Sequence, residues 1–294
     1  MRLIVRSWGA PPLTLLLSLL LLHFLAFSAE QVDLLVPPDF KPWQFLVLPS
    51  HKLMMSRIHK AGPTGLNHIA VALEPPLFPQ HPDWTMHAAS DHGLTAYDLS
   101  NILRDPSWYK AFIYREPLER FLSAYRSKCE GFDSMEGCER AFHHKIPSFG
   151  GAIRRLVLRE NYLENDHFEP QAGYCNLPQT LPHFNESFIL NPATSAKSMR
   201  TMLSNAHIKI SDELNDLLNI YFAPEGTEGD VGHNTLSSNV SSLLMYYNHD
   251  CYIRLMVHFY EEDYSLLNIP IPDWAVGALE RVTADECMEM IARQ

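Results

Sequence analysis

The 294-residue sequence has few charged residues and no excess of positive ones. Charged residues make up 19% of the chain, and 34 acidic residues outnumber 23 basic ones, so the formal net charge is −11. A protein that binds a long polyanion usually carries a large basic surface, so this balance argues against a nucleic acid partner. Low-complexity blocks and internal repeats are also lacking beyond the N-terminus. With 46% hydrophobic residues, the composition is that of an ordinary globular protein.

Two common types of site motif are missing as well. The chain has no C-x-x-C pair and no H-E-x-x-H, and the adjacent His143 and His144 would diverge on a helix, so no metal site is predicted. A Walker A loop requires G-x-x-x-x-G-K-[ST], whereas here Lys60 precedes Gly62 and Gly65. A P-loop-like kinase is therefore disfavoured.

The first thirty residues form a separate segment. Arg2 and Arg6 precede the Leu-rich stretch LTLLLSLLLLHFLAFSA, a pattern typical of a secretory signal peptide or a type II signal anchor. Ala26 and Ser28 fit a small-x-small cleavage site, and both outcomes stay open. Either outcome sends the remaining chain into the secretory lumen.

Sequons and cysteines fit such a compartment. The N-x-[ST] sequons begin at Asn185 and Asn239, although two such tripeptides are also expected by chance in a chain of this length. In an oxidising compartment four of the five cysteines could pair and leave one free. Cys129 with Cys138 is the most local possibility, and the full connectivity stays open.

One Gly-rich corner has the outline of an anion site. The apolar run at residues 53–58 predicts a buried strand, and the spacing of apolar residues over 66–73 predicts one face of a helix. Between them lies HKAGPTG, residues 59–65, with Lys60 in the turn. Unpaired backbone N–H groups at the start of such a helix attract anions. The alternative is an ordinary strand-to-helix corner.

A second corner repeats this arrangement. The apolar run 111–114 predicts a strand that ends at Arg115. Residues 116–125 predict a helix with one buried apolar face, and Arg120, Ser123 and Ser127 lie on another face. Two corners, each with a cation and a hydroxyl, suit a ligand with two separate phosphate groups. The alternative for Arg115 is an ion pair with a neighbouring glutamate.

Four segments resemble motifs of the Golgi carbohydrate sulfotransferase family, in family order from about residue 45 to about residue 275. From the N-terminal to the C-terminal one, the segments are IHKAGPTG, YREPLERFLSAYR, DHFEPQAGYC and FYEEDYSLLNIPIPDW. The resemblance implies a three-layer α/β fold of the P-loop-like sulfotransferase type, with a central and mostly parallel sheet. It also implies PAPS (3′-phosphoadenosine 5′-phosphosulfate) as co-substrate, PAP as product, a carbohydrate acceptor and no metal.

The resemblance assigns roles to individual residues. Lys60 would contact the 5′-phosphosulfate and the leaving oxygen, and Arg115 and Ser123 would hold the 3′-phosphate. The loop that surrounds the 5′-phosphate would consist of Lys60, Ala61, Gly62, Pro63, Thr64 and Gly65. The sequence departs from the family pattern at Phe168, where tryptophan is usual, and at Pro63, which lacks a backbone N–H donor.

The acceptor hydroxyl must lose its proton, and His167 is the candidate base. Its unperturbed pKa lies near neutrality, and Asp166 or Glu164 could orient its ring. Glu160, Glu164 and Asp166 are the alternative bases. A structural role for His167 is the competing interpretation, since the chain has 15 histidines.

These inferences give a domain plan and three functional hypotheses. We expect a signal peptide or anchor at residues 1–30, a short stem at 31–44 and a sulfotransferase domain at 45–294. The protein would be a Golgi membrane enzyme with a luminal domain, or a secreted one if the first segment is cleaved. Besides the PAPS-dependent carbohydrate O-sulfotransferase, the alternatives are a non-catalytic glycan-binding relative and a luminal P-loop-like kinase.

Overall fold

A computed structural model describes residues 34–74, 87–130, 135–142, 147–158, 165–191, 193–222 and 240–293. The chain from Leu35 onward forms one compact unit. The N-terminal segment expected to be a signal or an anchor lies outside the described residues. Within them, no helix is long and apolar enough to cross a membrane.

A four-stranded sheet lies at the centre of this unit. Its strands are β1 (Phe45–Leu48), β2 (Leu53–Ser56), β3 (Tyr109–Arg115) and β4 (Glu186–Leu190), in the spatial order 1-2-3-4. Strand β1 is antiparallel to β2, whereas β2, β3 and β4 are parallel. The carboxyl ends of three parallel strands therefore share one edge, which is where open α/β sheets bind ligands.

Helices occupy most of the remaining described chain. They are α1 (Pro63–Leu73), α2 (Ala96–Arg104), α3 (Pro117–Tyr125), α4 (Met135–Phe142), α5 (Phe149–Leu158), α6 (Leu177–Thr180), α7 (Ser195–Asn205), α8 (Asp212–Phe222), α9 (Val240–Tyr246), α10 (Asp250–Phe259), α11 (Glu261–Leu266), α12 (Asp273–Arg281) and α13 (Ala284–Ala292). A π-helical turn, Arg126–Glu130, continues α3.

The sheet separates two hydrophobic cores because its side chains alternate between its faces. Phe112 of β3 belongs to a core with α2, α3, α5 and α10, whereas its neighbours Ala111 and Ile113 belong to a core with α1, α7 and α8. The result is three layers, helix, sheet and helix. This confirms the predicted three-layer α/β fold with a central, mostly parallel sheet.

The two helices predicted from apolar spacing are present. Leu66 and Ile69 of α1 are fully buried, as are Leu118 and Phe121 of α3. Each helix begins with a proline, where the missing N–H breaks no intrahelical bond. Each of the two anion-site candidates therefore lies where a parallel strand passes into a helix at the ligand-binding edge.

Residues 35–44, within the segment predicted to be a stem, are part of the compact unit. Val36 is fully buried, and its N–H donates to Ser100 Oγ at 3.2 Å. Asn176 Nδ2 donates to the carbonyl of Leu35 at 2.7 Å. Leu35 and Val36 thus belong to the hydrophobic core that also contains Phe45 and Val47 of β1.

Two disulfides join Cys129 to Cys138 and Cys251 to Cys287, and Cys175 is free and buried. This confirms four paired cysteines with one left over, including the local pair. The first disulfide closes the turn after α3, and the second joins α10 to α13.

Candidate active site

The first corner, between β2 and α1, has a backbone shaped by left-handed residues. Lys60 and Gly62 both have φ near +68°, and Gly62 caps α1. A side chain at Gly62 would also come within 2.9 Å of the side chains of Leu190 and Phe222. Glycine is therefore required here both by conformation and by the close approach of β4 and α8.

The N–H groups after this corner belong to the first turn of α1. Ala61 donates its own N–H to Ile58 at 3.1 Å, so it is already satisfied. Thr64 and Gly65 follow Pro63 in the first helical turn, where N–H groups have no intrahelical acceptor. The absence of an N–H on Pro63 leaves these two donors in place. The corner can therefore offer an anion backbone N–H groups together with the positive end of the helix dipole.

The side chain of Lys60 links the first corner to the second. Its Nζ donates to Ser127 Oγ at 2.7 Å, in the π-helical turn that follows α3. Burial, together with repulsion from Lys128 and Arg115, lowers the pKa of Lys60 to about 8. Several cations thus lie close enough to affect one another, in a protein whose net charge is strongly negative.

Ser127 was not among the predicted site residues. The sequence places it on the same helix face as Ser123, four residues earlier, and this shared face is the signal that could have indicated a role in the site. Ser127 lies in the π-helical turn that continues α3, and this turn places its hydroxyl next to the side chain of Lys60.

The second corner joins β3 to α3. Arg115 ends the strand, and its Nε donates to Glu119 Oε2 at 3.3 Å. The ion pair considered as the alternative role for Arg115 is therefore present. This contact is made by Nε, and a guanidinium carries five N–H donors, so pairing with Glu119 does not by itself exclude binding a phosphate. Ser123 is half-buried on α3.

Two of the segments quoted for the family resemblance hold this second corner in place. Gln171, from DHFEPQAGYC, exchanges two hydrogen bonds with the backbone of Arg115: its Oε1 accepts from the N–H and its Nε2 donates to the carbonyl, both at 2.9 Å. Asp263, from the YEEDY stretch, accepts from the N–H groups of Gln171 at 2.9 Å and Ala172 at 2.7 Å. Segments far apart in sequence therefore converge on the residue that ends β3.

Glu116 caps the helix that follows Arg115. Its carboxylate accepts from the N–H of Glu119 at 2.7 Å and from the hydroxyl of Tyr264. Burial raises the pKa of Glu116 to about 7. Glu116 and Tyr264 thus connect the start of α3 to the same YEEDY stretch.

Arg120 requires a correction. The sequence placed it on a face of α3 away from the core, but its side chain is completely buried. The guanidinium donates to the carbonyls of His59 and His167, each at 3.4 Å, and to that of Glu169, and it lies over the ring of Tyr260 at 5.6 Å. Arg120 is buried because three backbone carbonyls converge on it, a tertiary arrangement that periodicity does not show.

His167 lies next to the first corner. Its ring stacks on that of His59, with centroids 4.0 Å apart and planes 14° apart, and Trp43 in turn contacts His59 at 4.6 Å. The ring of His167 also contacts Asn165, whose Oδ1 lies 2.9 Å from His167 Nδ1. The candidate base and the Lys60 corner are therefore neighbours in space although about a hundred residues separate them in sequence.

The carboxylate expected to orient this ring has another partner. Asp166 accepts from Lys41 Nζ at 2.7 Å, and Glu169 accepts from the same amine at 2.8 Å. Asp166 is thus paired with Lys41, and the atom found at Nδ1 of His167 is Asn165 Oδ1. The other acidic candidates, Glu160 and Glu164, lie outside the described residues.

Both stacked histidines are held in the neutral form. Burial, together with repulsion from Arg57 and Lys60, lowers the pKa of His59 to about 3. Burial also holds the pKa of His167 far below its usual range, with His59 and Lys128 adding to the effect. A neutral imidazole can accept a proton, so the protonation state suits a base.

The tryptophan that the family usually has is replaced by a phenylalanine with a packing role. Phe168 is fully buried and contacts Phe121 and Phe142. It thus fills the core beneath the histidine turn.

In the part of the chain that the structure describes, no group of His, Cys, Asp or Glu has the arrangement of a metal site.

The fold and this edge define an α/β protein with two candidate anion sites, each with a cationic side chain, and a neutral histidine beside the first of them. A comparison with protein families matches residues 43–269 to the Sulfotransferase family. The chain therefore belongs to the sulfotransferase family, that of the Golgi carbohydrate sulfotransferases. Comparisons with curated proteins and with solved structures gave no significant match. The family supports sulfuryl transfer as the general activity, and its members generally use PAPS.

Proposed function

We propose that the protein transfers a sulfuryl group from PAPS to a hydroxyl of a carbohydrate acceptor in the secretory lumen. The observation that carries this proposal is the contact between Lys60 Nζ and Ser127 Oγ at 2.7 Å. It joins a strand-to-helix corner after β2 to the helix that follows the corner after β3. Two anion sites on neighbouring parallel strands then open on the same edge, as a donor with two separate phosphates requires.

The residues at each corner fit the groups they would hold. Arg115 offers a planar fork of donors to phosphate oxygens, and Ser123 offers a short hydroxyl donor. Lys60 is a compact point charge on a flexible stem, which can follow charge as it develops on a leaving oxygen. The first turn of α1 adds the N–H groups of Thr64 and Gly65.

Sulfuryl transfer resembles phosphoryl transfer in being an in-line displacement catalysed mainly by positioning and charge stabilisation. The acceptor oxygen forms a bond to sulfur as the bond from sulfur to the phosphate oxygen breaks. We assign the acceptor proton to His167 and the charge on the leaving oxygen to Lys60. The cations at the two corners supply the positive charge, so the proposed reaction needs no metal.

Donor choice is tested by ligand-dependent thermal unfolding of the purified domain. PAP at a hundredfold excess over its Kd should stabilise the protein by about 2.7 kcal/mol, whereas ATP should have a much smaller effect. Arg115→Ala should remove most of the shift. The matched control is Arg293→Ala, which removes an exposed arginine that also pairs with a glutamate four residues away on its helix.

Stabilisation by ATP and not by PAP would contradict the proposal and favour the kinase. Transfer itself is tested by incubating the domain with labelled PAPS and a panel of glycans and small hydroxylated acceptors. Label should appear on a carbohydrate. A protein that binds PAP but labels none of the acceptors would support the non-catalytic relative instead.

The luminal location is tested at the two sequons. Asn185 is exposed, and its Oδ1 accepts from the N–H of Lys110 at 2.8 Å, while a glycan is attached through the other side-chain atom, Nδ2. The sequon at Asn239 lies outside the described residues. We expect peptide-N-glycosidase to increase gel mobility after expression in a eukaryotic host. Ser187→Ala should abolish any glycan on Asn185 while keeping the asparagine.

An unglycosylated protein found in the cytosol would contradict a luminal location. Mass spectrometry of the mature N-terminus distinguishes cleavage near Ser28 from retention of a Golgi membrane anchor. Retention would make the membrane a partner through residues 1–30.

A further inference from the structure

The side chain of Asn165 has a defined orientation because of its contact with the backbone of His167. The N–H of His167 donates to the terminal side-chain atom of Asn165 at 3.1 Å. A backbone N–H can only donate, so the atom it meets must be the amide oxygen and not the amide nitrogen. This contact settles the choice between the two amide orientations, which coordinates alone often leave open.

The same oxygen determines which ring nitrogen of His167 carries the proton. Asn165 Oδ1 lies 2.9 Å from His167 Nδ1. Since the oxygen can only accept, Nδ1 must donate and therefore carries the hydrogen. In a neutral imidazole the second nitrogen, Nε2, then has the free lone pair.

We infer that Asn165 is a positioning residue that fixes His167 in the Nδ1–H tautomer, so that Nε2 is the atom that takes the acceptor proton. This inference rests on the proposed function for its catalytic meaning. In this role Asn165 acts on the reaction through the ring of His167. Its place in the turn corresponds to the third member of a nucleophile, base and orienting-group arrangement, with an amide in place of a carboxylate.

The surroundings of the ring support a fixed orientation. On one side His59 stacks against His167 with centroids 4.0 Å apart, and Trp43 contacts His59 beyond it. Rotation of the ring out of its plane would break the stack, and a 180° flip within the plane would move Nδ1 away from Asn165.

The charged groups around His167 explain why an amide suits this position. The groups acting on the ring are His59, Lys60, Arg120 and Lys128, each of which lowers its pKa. Asp166 and Glu169, the carboxylates of this turn that the structure describes, both pair with Lys41. A neutral amide orients the ring without adding a negative charge that would favour the protonated form.

The tautomer can be measured directly by nuclear magnetic resonance of protein labelled with ¹⁵N-histidine. Long-range ¹H–¹⁵N spectra should show His167 as neutral with its proton on Nδ1, and His167→Ala assigns the signal. Asn165→Ala should give a mixture of tautomers or the Nε2–H form. A wild-type spectrum with the proton on Nε2 would overturn the inference.

Kinetics test the catalytic consequence. Asn165→Ala should lower kcat by about 10-fold to 100-fold with the Kd for PAP changed less than twofold, because the donor corners are built from other residues. Asn165→Asp keeps the accepting oxygen and adds a charge, so it should retain the tautomer. It should also move the acid limb of the kcat profile to higher pH by about 1 to 3 units. A residue with only a structural role would give no such shift.

The control is Asn101→Ala, at an exposed position of α2. Unchanged kcat in Asn165→Ala, or an unshifted acid limb in Asn165→Asp, would contradict the inference. Should Asn165→Ala fold poorly, Asn165→Asp carries the test. Failure of the proposed function is recognised separately: PAP would not bind and no acceptor would be labelled, while the tautomer measurement would still decide the role of Asn165.

Discussion

Lys60 illustrates how much depends on a single residue at this site. It has a left-handed backbone, a buried stem and a hydrogen bond to Ser127. Burial lowers its pKa to about 8, with Lys128 and Arg115 contributing. A bound anion would favour the protonated form, so donor binding and protonation of Lys60 are coupled.

This coupling predicts a pH dependence of donor affinity. Below pH 8 Lys60 is charged and PAP binds tightly, whereas affinity should fall as the pH rises through 8 and the free amine loses its proton. Lys60→Arg should flatten this dependence between pH 7 and 9, since arginine stays charged. Isothermal titration calorimetry across this range measures it. An identical pH dependence in wild type and Lys60→Arg would show that another group is responsible.

Loss of Lys60 should also affect catalysis. It is proposed to contact both the donor in its ground state and the leaving oxygen, so Lys60→Ala should weaken PAP binding and lower kcat together. A fall in only one of the two quantities would argue against this double role.

His167→Ala should behave differently from Lys60→Ala. Donor affinity should stay nearly unchanged, and kcat should fall by about 10² to 10⁴, which corresponds to about 3 to 5 kcal/mol of barrier. If near wild-type turnover remains while Asp166→Ala or Glu164→Ala is inactive, the base is a carboxylate.

The pH profile of the same reaction gives a further check on His167. In the free protein, burial and neighbouring cations hold its pKa far below the usual range. A bound donor brings negative charge to those cations and raises the pKa again. The acid limb of kcat, which reports the complex, should therefore lie at higher pH than that of kcat/KM, provided that chemistry limits the rate. It should vanish in His167→Ala.

At the scale of elements, the site depends on contacts between distant segments. The carboxylate of Asp263 in α11 accepts the N–H groups of Gln171 and Ala172, and Gln171 in turn holds the backbone of Arg115. Asp263 is completely buried. Helix α11 therefore supports the end of β3 although it contributes no proposed ligand contact.

Asp263→Ala should destabilise the fold by about 2 to 5 kcal/mol, because two buried backbone N–H groups lose their acceptor. Urea unfolding measures this change. PAP affinity should also fall, since the end of β3 would be less well held. Glu262→Ala removes the neighbouring exposed carboxylate of the same helix and should change stability by less than about 0.5 kcal/mol. Equal effects of the two substitutions would contradict the role given to Asp263.

On the scale of the whole molecule, two disulfides constrain the helical layer that carries α3, α10 and α13. They close loops of different length, with sequence separations of 9 for Cys129–Cys138 and 36 for Cys251–Cys287. In the chain-entropy description, the longer loop gains more stability from its crosslink.

Removal of the longer crosslink should therefore cost more stability. The double substitution of Cys251 and Cys287 by serine should lower the free energy of unfolding by about 4 kcal/mol, against about 2.5 kcal/mol for Cys129 and Cys138. Denaturant unfolding of the two variants compares them, with Cys175→Ser as a control for replacement of a buried thiol. A larger loss from the shorter loop would show that local packing, and not loop entropy, decides the effect.

Local sequence patterns were sufficient for the elements that carry the site. The runs around Met54 and Phe112 predicted strands, and the spacing around Leu66 and Leu118 predicted the buried faces of α1 and α3. These features are determined by short-range periodicity, because alternate residues of a strand and every third or fourth residue of a helix share one face. The motifs also indicated the family and the three-layer fold.

Only the tertiary structure decided how these parts meet. It buried Arg120 against three carbonyls, placed Ser127 Oγ next to Lys60, paired Asp166 with Lys41 and placed Asn165 Oδ1 next to Nδ1 of His167. The first three contacts have no local signature because packing brings together residues that are far apart in sequence. The contact between Asn165 and His167 is local, but it depends on the path of a turn that side-chain periodicity does not predict. The sequence by itself thus determined the elements and the residue types at the site, while folding determined their partners and the protonation states that burial imposes.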